Sequence, residues 1–440
     1  MFPVVSELLR LREACRHAAG QGIYSVCSAH PVVLRAALAQ GREDASAVLI
    51  EATSNQVNQF GGYTGMTPLA FKAFVDDLAQ VAGLPGERLI LGGDHLGPNP
   101  WRDQPAAAAL EKAGELVEAY VSAGFHKIHL DASMRCADDP AHLPDALIAE
   151  RAAVLCLRAE QAYGHRGWGP PPVYVIGTEV PMPGGSVEEE AHLQPTASSD
   201  VARTLDLSQA AFARLGLESA WERVVALVVQ PGVEFGEASV CDYDHNLAAP
   251  LTEAISRRLP WMYEAHSTDY QSPRALRQLV EDRFAILKVG PWLTFAFREA
   301  VFSLEELARE LQGRDSRRAC PPLAATLEAA MLRDPIHWQG HYHGTEGELA
   351  FARRFSLSDR SRYYWGDSAV REVLEALFQA LEGPLPLELI SQYRPQEYDA
   401  VRAGSIPASG RAIATQAVRR VLGHYATACG HSMSMPRGGS

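Results

Sequence analysis

Several features that assign proteins to a class are missing from this 440-residue sequence. It has no apolar run approaching the ~18 residues that a membrane-spanning helix needs. Its seven cysteines form no C-x-x-C pair, which argues against a zinc knuckle or a disulfide framework and predicts reduced thiols in a cytoplasmic protein. Like charges form no long block, and the net charge of −13 argues against nucleic acid or an anionic membrane as the main partner.

Signatures of nucleotide binding and secretion are also absent. No glycine-rich fingerprint follows the first predicted strand, as a dinucleotide-binding sheet would require. No G-x-x-x-x-G-K-[ST] loop occurs, so the residues do not support P-loop phosphoryl transfer. Charged residues between Glu7 and Arg16 interrupt the apolar core of any secretion signal, and their spacing favours an amphipathic helix.

The sequence has instead a series of short apolar segments separated by helical patterns. The eight segments are Tyr24–Ser28, Val48–Asn55, Leu89–His95, Lys127–Ser133, Val173–Glu179, Val224–Gln230, Trp261–His266 and Ala285–Val289. Alternation of strand and helix indicates a parallel sheet. Eight repeats match the ~250 residues of a (β/α)8 TIM barrel. A doubly wound open sheet is the alternative, although it usually has fewer strands.

The strand signals end after Pro291, and the remaining apolar patterns are helical. We therefore predict an α/β protein with three parts. Residues 1–295 form a (β/α)8 barrel with an N-terminal helix. Residues 296–430 form a C-terminal helical appendage that packs on the barrel or covers its mouth. Residues 431–440, which are polar and glycine-rich, form a disordered tail.

Side chains that can bind metal end several of the predicted strands. Asp94 and His95 follow two glycines at the end of the third, Glu179 ends the fifth, and His266 ends the seventh. The carboxyl ends of the strands build the active site of a (β/α)8 barrel. Imidazole suits zinc and neighbouring metals. The pattern predicts a divalent metal ion held by His95, Glu179 and His266. Zinc is the first expectation, with manganese, cobalt or nickel as alternatives.

The same strand ends supply candidates for proton transfer. Asp94, Glu179 and Asp131 are predicted to be catalytic, because a carboxylate near a metal can take a proton from a polarised substrate. Each has a structural alternative, since a buried carboxylate must be paired. Asp94 and His95 would then form a hydrogen-bonded cap, and Glu179 or Asp131 a buried ion pair.

A further group of polar residues is predicted to bind substrate. A loop of amides and glycines after the second strand suits sugar hydroxyls, and two arginines flanked by hydroxyls and aromatics suit a phosphate. An exposed basic turn is an equally good interpretation of the arginines, and a Schiff-base lysine is a minor alternative for the lysine. The residues are Asn55, Gln59, Asp269, Lys288, Arg360 and Arg362.

Longer motifs resemble a known family. They are E-A-T-S-N-Q-V-N-Q from Glu51, G-Y-T-G from Gly62, G-G-D-H-L-G-P from Gly92, H-L-D-A-S-M from His129, G-T-E-V-P from Gly177 and S-D-R-x-R-Y-Y-W from Ser358. From Tyr24 to Tyr425 the sequence resembles the so-called non-catalytic subunit of class II D-tagatose-1,6-bisphosphate aldolase, a family also labelled tagatose-6-phosphate kinase. The resemblance implies a TIM barrel of the class II aldolase superfamily.

The resemblance also implies an activity. Relatives are metal-dependent ketose 4-epimerases, and catalytic class II aldolases use an Asp-His pair that Asp94 and His95 match, with a later ligand that His266 matches. Glu179 departs from the aldolase pattern, which has histidine there. We expect C4 epimerisation of a ketohexose or ketohexose phosphate. The alternative is a stabilising subunit that binds a catalytic aldolase partner. A homo-oligomer is a further expectation.

Overall fold

The computed structural model describes residues 3–17, 20–177, 193–315 and 319–431, with side chains from residue 7. Eight parallel strands close into a barrel in the order β1-β10-β9-β6-β5-β4-β3-β2, and β7 and β8 form a small antiparallel hairpin. The strands are β1 Ile23–Val26, β2 Val48–Thr53, β3 Leu89–Leu96, β4 Lys127–Leu130, β5 Val173–Ile176, β6 Val224–Val228, β7 Glu234–Phe235, β8 Val240–Cys241, β9 Met262–Ala265 and β10 Phe284–Val289. The predicted (β/α)8 TIM barrel is confirmed.

Helices cover the outside of the barrel and make up most of the chain after β10. They are α1 Pro3–His17, α2 Pro31–Asp44, α3 Pro68–Ala82, α4 Ala106–Ala123, α5 Asp145–Arg166, α6 Ser198–Arg214, α7 Glu218–Trp221, α8 His245–Ser256, α9 Pro273–Glu281, α10 Pro291–Arg314, α11 Leu323–Arg333, α12 Glu346–Phe355, α13 Ser368–Ala380, α14 Leu387–Tyr393, α15 Pro395–Arg402 and α16 Gly410–Ala428. Within the described ranges, no helix is both long and apolar enough to cross a membrane.

Local signals explain where several helices begin. The side chain of Thr67 accepts a hydrogen bond from the backbone N–H of Ala70, and a proline follows it at the first helical position. Ser272 caps α9 in the same way, again with proline next. These hydroxyls satisfy N–H groups that have no partner within the helix, and proline loses nothing there.

The inside of the barrel is divided along its axis. Towards the amino ends of the strands lies an apolar floor, which α1 closes from below. Towards the carboxyl ends lies a charged layer. The floor consists of Leu8, Cys15, Ile23, Leu49, Ile90, Val173, Val175, Val225, Ala226, Val228, Met262, Ala285 and Ile286. The charged layer consists of Glu51, Asp94, Lys127, Glu264 and Lys288, all buried.

Strand geometry produces this division. Successive side chains of a strand point to opposite faces, so residues two apart share a face. Leu49 and Glu51 therefore both point into the barrel from β2, and Ile286 and Lys288 do so from β10. The alternate faces carry residues such as Ile50 that pack against the surrounding helices.

The helices after β10 pack directly on the helices of the barrel. Helix α10 runs without a break across residue 295, and α16 packs against α2, α9 and α10. The last helix thus completes the ring around the barrel between the helices that follow β1 and β9. The hydroxyl of Tyr425 on α16 donates to the carbonyl of Thr268, 2.7 Å away, in the loop after β9. The domain boundary at residues 295 and 296 stays a prediction, and the predicted tail from residue 432 lies outside the described residues.

Candidate functional site

Three histidines meet at the carboxyl end of the barrel. The ring centroids of His95 and His266 lie 4.8 Å apart, those of His95 and His129 lie 5.1 Å apart, and those of His129 and His266 lie 5.3 Å apart. Each of these rings and the carboxylate of Asp94 offers a donor atom, and the four atoms lie within 4.8 Å of one another. All four residues are buried. We call the three rings the histidine cluster.

The ring nitrogens of the cluster suit a metal ion. Nδ1 of His95 lies 2.8 Å from Oδ2 of Asp131, which orients the ring and leaves its Nε2 for a ligand. Nε2 of His129 and Nδ1 of His266 have no hydrogen-bond partner among the described residues, although both are buried. A carboxylate behind a ligating histidine is the usual outer-shell arrangement at metal sites.

The surroundings of the cluster shift the pKa values of two of its rings in opposite directions. Burial lowers the pKa of His129. Burial also opposes charge on His266, but its contacts with Asp94 and Glu264 outweigh that effect and raise its pKa. Nε2 of His266 lies 3.3 Å from Oε1 of Glu264 and 3.7 Å from Oδ1 of Asp94. A bound cation would satisfy the same carboxylates in place of that proton.

Asp94 is held as a carboxylate. Burial would raise its pKa, but His95 and Lys288 keep the pKa well below the ordinary value. Nζ of Lys288 lies 2.9 Å from Oδ1 of Asp94, and neighbouring carboxylates raise the pKa of this lysine despite its burial. Lys288 is therefore a charged partner of Asp94, which disfavours the Schiff-base alternative.

Below the cluster, the members of the charged layer are joined to one another by ion pairs. Nζ of Lys127 lies 2.5 Å from Oε1 of Glu51 and 2.7 Å from Oε2 of Glu264. Lys288 pairs with Glu51 as well as with Asp94. The layer supports the cluster from below and ties five strands together.

Two glycines of the G-G-D-H-L-G motif make room for this arrangement. A Cβ at Gly92 would lie 2.5 Å from Oε1 of Glu51, and one at Gly97 would lie 1.6 Å from the carbonyl oxygen of Asp131. His95 itself has φ of +48°, which a non-glycine residue rarely adopts. Such strain persists only where the surroundings fix it, and it is commonest at functional sites.

A pocket opens above the cluster. Among its lining residues are Asn55, Gln56, Tyr63, Asp94, His95, His266, Asp269, Lys288, Arg362 and Tyr363. Oδ1 of Asp269 accepts from the backbone N–H groups of Gly290, at 3.0 Å, and Trp292, at 2.8 Å, at the start of α10. Burial raises the pKa of Asp269 to about 6.

The two predicted anion-binding arginines separate. Arg362 lines the pocket, donates to the hydroxyl of Tyr363 at 2.9 Å and contacts that ring. Arg360 instead donates to the carbonyl of His337 at 2.9 Å and lies 2.7 Å from Nδ1 of His341, outside the set that lines the pocket. Nη1 of Arg362 also donates to the carbonyls of Ser358 and Asp359, so both arginines hold the segment in place. Of the two, Arg362 is the one that lines the pocket.

The Arg362 segment is anchored to the barrel helix α10. Asp359 has φ of +41° and is buried. Its carboxylate lies 3.1 Å from Nε of Arg298 and accepts from the hydroxyl of Thr294 at 2.7 Å. The backbone N–H of Arg362 then donates to the carbonyl of Asp359 at 3.1 Å. This anchor places the C-terminal region at the mouth of the barrel.

The structure brings most of the predicted residues together. Asp94, His95 and His266 meet, and Asn55, Asp269, Lys288 and Arg362 line the same pocket. Asp131 lies behind His95 and does not line the pocket. The side chain of Gln59 turns away and donates to the carbonyl of Lys112 on α4 at 2.9 Å, while Gln56 lines the pocket in its stead. Glu179 lies outside the described residues.

Sequence reasoning missed four buried residues that shape the site. They are Glu51, Lys127, His129 and Glu264. Glu51, Lys127 and Glu264 each stand two positions before a pocket or cluster residue, as Glu264 does relative to His266. His129 stands two positions before Asp131, a predicted site residue. Period-two alternation counted backwards from the strand ends was the signal that could have found them.

The fold and the site define a (β/α)8-barrel protein with a candidate divalent-metal centre at its C-terminal mouth. The chain belongs to the D-tagatose-1,6-bisphosphate aldolase subunit GatZ/KbaZ-like family, whose sequence model matches residues 8–430. This membership makes it a tagatose-related, aldolase-like protein of carbohydrate metabolism, either an enzyme or an accessory aldolase subunit.

Comparison with solved structures gives one match at high identity and others at low identity. A probable tagatose 6 phosphate kinase from Sinorhizobium meliloti 1021 is 45% identical, with 93% of this chain and 100% of that chain covered and a TM-score of 0.85. The fructuronate-tagaturonate epimerase UxaE from Cohnella laeviribosi is 13% identical, with 97% of this chain and 86% of that chain covered and a TM-score of 0.47. The YdjI aldolase from Escherichia coli K12 is 12% identical, with 86% and 98% covered and a TM-score of 0.41.

Proposed function

We propose that this protein is a metal-dependent enzyme that interconverts the C4 epimers of a ketohexose or its 6-phosphate, fructose-type and tagatose-type sugars. The observation that carries the proposal is that Asp94, His95 and His266 line one pocket with Arg362, with His129 directly beside them. The family description, which names tagatose bisphosphate, supports the sugar class. The description of the Sinorhizobium protein, a probable tagatose 6 phosphate kinase, names a sugar 6-phosphate.

The donor set fits a divalent ion. His95, His129 and His266 would hold it, beside Asp94, and the unpartnered Nε2 of His129 is the kind of buried atom that such an ion satisfies. Three imidazoles favour zinc, and manganese, cobalt and nickel are alternatives. When bound, the ion would act as a Lewis acid on the C2 carbonyl and C3 hydroxyl of the ketose. The part expected of Glu179 as a ligand or base stays a prediction.

Residues of the chain would supply proton transfer, charge stabilisation and substrate binding. Asp94 lines the pocket beside the cluster and is proposed to take the proton of a substrate hydroxyl. Lys288 neutralises Asp94 at rest and can stabilise oxygen charge that develops nearby. Asp131 acts indirectly, because its contacts with His95 and Ser133 orient the imidazole. Asn55 and Asp269 line the wall where the substrate hydroxyls would lie.

The test of this function combines metal analysis with product analysis. Purified protein is analysed for bound metal and then incubated separately with fructose, tagatose and their 6-phosphates, with NMR as the readout. We expect about one divalent ion per chain and formation of the C4 epimer from at least one pair. Metal-replete protein that converts none of the four sugars would falsify the proposal.

The two arginines provide a matched pair for the phosphate. Arg362→Gln should raise the apparent KM for 6-phosphates on the order of 10–100-fold, because hydrogen bonds to charged groups contribute about 1.5–3 kcal/mol each. Arg360→Gln should change KM far less, since that side chain contacts His337 and His341 outside the set of residues that lines the pocket. Equal effects of Arg362→Gln on phosphorylated and free sugars would assign it to packing instead.

A second candidate function is that of an accessory subunit of a tagatose bisphosphate aldolase, which the family description favours. Such a subunit would bind a catalytic aldolase chain and turn over nothing itself. Addition of the purified protein to a catalytic aldolase subunit would then raise that subunit's activity or thermal stability. The same increase with an Asp94→Asn variant would show that the pocket plays no part in the effect.

A further inference from the structure

Inversion at C4 of a ketose requires proton transfer to and from O4 in two different positions. In a retro-aldol route, a base takes the O4 proton, the O–H electron pair forms the C4 carbonyl, and the C3–C4 pair moves to C3 and onto the C2 oxygen. The aldehyde then turns, C3 attacks its opposite face, and O4 takes a proton again. Because O4 points in different directions before and after the turn, a single rigid carboxylate cannot serve both positions.

The barrel brings two carboxyl groups to the pocket from different strand ends. Asp94 lies on β3, and Asp269 lies in the loop that follows β9. In the closed order of strands, three strands separate β3 from β9 on each side, so these two strands are opposite each other. The carboxylate of Asp269 reaches from the loop after β9 to the end of β10, where Gly290 and Trp292 bind it. Both side chains are buried, and both line the same pocket.

Asp269 is held firmly in that position. The two N–H groups at the start of α10 fix one of its oxygens, Oδ1, and a carboxylate fixed by one oxygen can present the other to a ligand. The loop that carries it contains two non-glycine residues in the left-handed region, Ser267 with φ of +53° and Tyr270 with φ of +65°. Tyr425 of the last helix holds the same loop through the carbonyl of Thr268. Backbone strain that is held in place by such contacts is typical of a functional position.

The partners of the two carboxyl groups also differ. Asp94 forms an ion pair with Lys288, whereas Asp269 is bound by backbone N–H groups. A buried carboxylate without a full counter-charge binds a proton more readily than a salt-bridged one. Two carboxyl groups in contrasting environments are the arrangement that separates an acid from a base.

We propose that Asp269 is the second proton-transfer residue, which serves O4 of one epimer while Asp94 serves O4 of the other. The inference rests on the proposed epimerase function. In one turnover Asp94 accepts the proton of O4 and Asp269 donates one to O4 of the product; in the reverse direction the roles exchange. Transfer of one proton from Asp94 to solvent and one from solvent to Asp269 restores the starting state, so atoms and charge balance.

The experiment compares Asp269→Asn with Asp94→Asn in two assays. The first is net epimerisation followed by NMR. The second is incorporation of 13C-labelled glyceraldehyde, or its 3-phosphate, into unconverted ketose, which reports cleavage and reformation without inversion. Asparagine at 269 keeps an oxygen for the two N–H groups, and Asp77→Asn, at an exposed position on α3, is the matched control. Bound metal and melting temperature are measured for each variant.

Asp269→Asn should lower net epimerisation on the order of 10²–10⁴-fold, with metal content and melting temperature near those of the control. It should still place label in one epimer and not in the other, and Asp94→Asn should show the opposite preference. Near-normal epimerisation by Asp269→Asn, or absence of label from both epimers with that variant, would overturn the inference. A wild-type protein that interconverts no ketose would instead overturn the proposed function.

Discussion

The floor and the charged layer of the barrel are built from the same strands, yet they are stabilised in opposite ways. In the floor, each buried apolar side chain adds about 1.5–3 kcal/mol through its removal from water. In the charged layer, every ion costs several kcal/mol to desolvate, and the layer is stable only as a complete set. The floor should therefore lose little stability when one apolar side chain is made smaller, whereas the charged layer should lose much when one of its ions is removed.

This difference shows where the protein can support chemistry. The floor and the helices supply the stability that lets five charged residues and three histidines remain buried at the other end. The charged layer in turn fixes Asp94 through Lys288 and reaches His266 through Glu264. Substitutions in the charged layer and the histidine cluster, compared with a substitution in the floor, test this difference.

The largest effect should follow loss of a ligand from the histidine cluster. His129→Ala removes one of three imidazoles and a buried ring nitrogen, Nε2, that has no hydrogen-bond partner in the part of the chain that the structure describes. We expect the metal-to-protein ratio to fall towards zero and epimerisation with it. The melting temperature of the metal-free protein should also fall, because Nδ1 of His129 contacts the backbone N–H of His95 and the carboxylate of Asp94. Elemental analysis and NMR assay check this. A variant with full metal content would remove His129 from the site.

The next effect concerns the charged layer alone. Lys127→Met removes a partner of Glu51 and Glu264 and leaves Lys288 as the one lysine of the layer for three buried carboxylates, those of Glu51, Asp94 and Glu264. Removal of one partner of a buried ion pair costs about 3–5 kcal/mol, which urea denaturation would measure. Ile90→Val in the floor is the matched control and should cost about 0.5–1.5 kcal/mol. Similar losses in both variants would contradict the proposed difference between the two regions.

A smaller effect is expected where the cluster meets its support. Asp131→Ala removes the carboxylate that orients His95. Outer-shell substitutions of this kind lower metal affinity about 10–100-fold. Titration of the metal-free protein with zinc would measure the change. Unaltered affinity would mean that the ring of His95 is positioned by its own strained backbone.

The smallest effect concerns pH and lies near the amino ends of the strands. His126 immediately precedes β4, and burial lowers its pKa to about 4. In the unfolded chain the His126 imidazole binds a proton as the pH falls through about 6.5, whereas in the folded chain it does so only near pH 4. The free energy of unfolding therefore falls as the pH drops from about 6.5 towards 4. His126→Gln should remove this contribution, on the order of 1–2 kcal/mol at pH 5. Denaturation of both proteins at pH 8 and pH 5 tests it, and a gap between them that does not depend on pH would contradict the assignment.

Some of the site could be predicted because it lies at strand ends. Asp94, His95 and His266 follow apolar runs directly, and parallel strands of a barrel bring their carboxyl ends together. His129 and Glu264 could not be recognised as easily, because each lies inside an apolar run, where a polar residue has many structural explanations. Arg360 and Arg362 are two positions apart in one motif, and the sequence offers no reason for one to bind a ligand and the other to pack.

By itself, the sequence determined the architecture, because hydrophobic periodicity and helix-start signals are local properties that survive without tertiary contacts. It also determined which strand ends carry acid–base and metal-binding groups. Only the tertiary structure decided which of these groups meet. Strand register brings His129 to His95, the anchor at Asp359 places Arg362 in the pocket, and α16 closes the ring of helices around the barrel. These contacts join residues far apart in the chain, and their geometry depends on how the whole barrel closes.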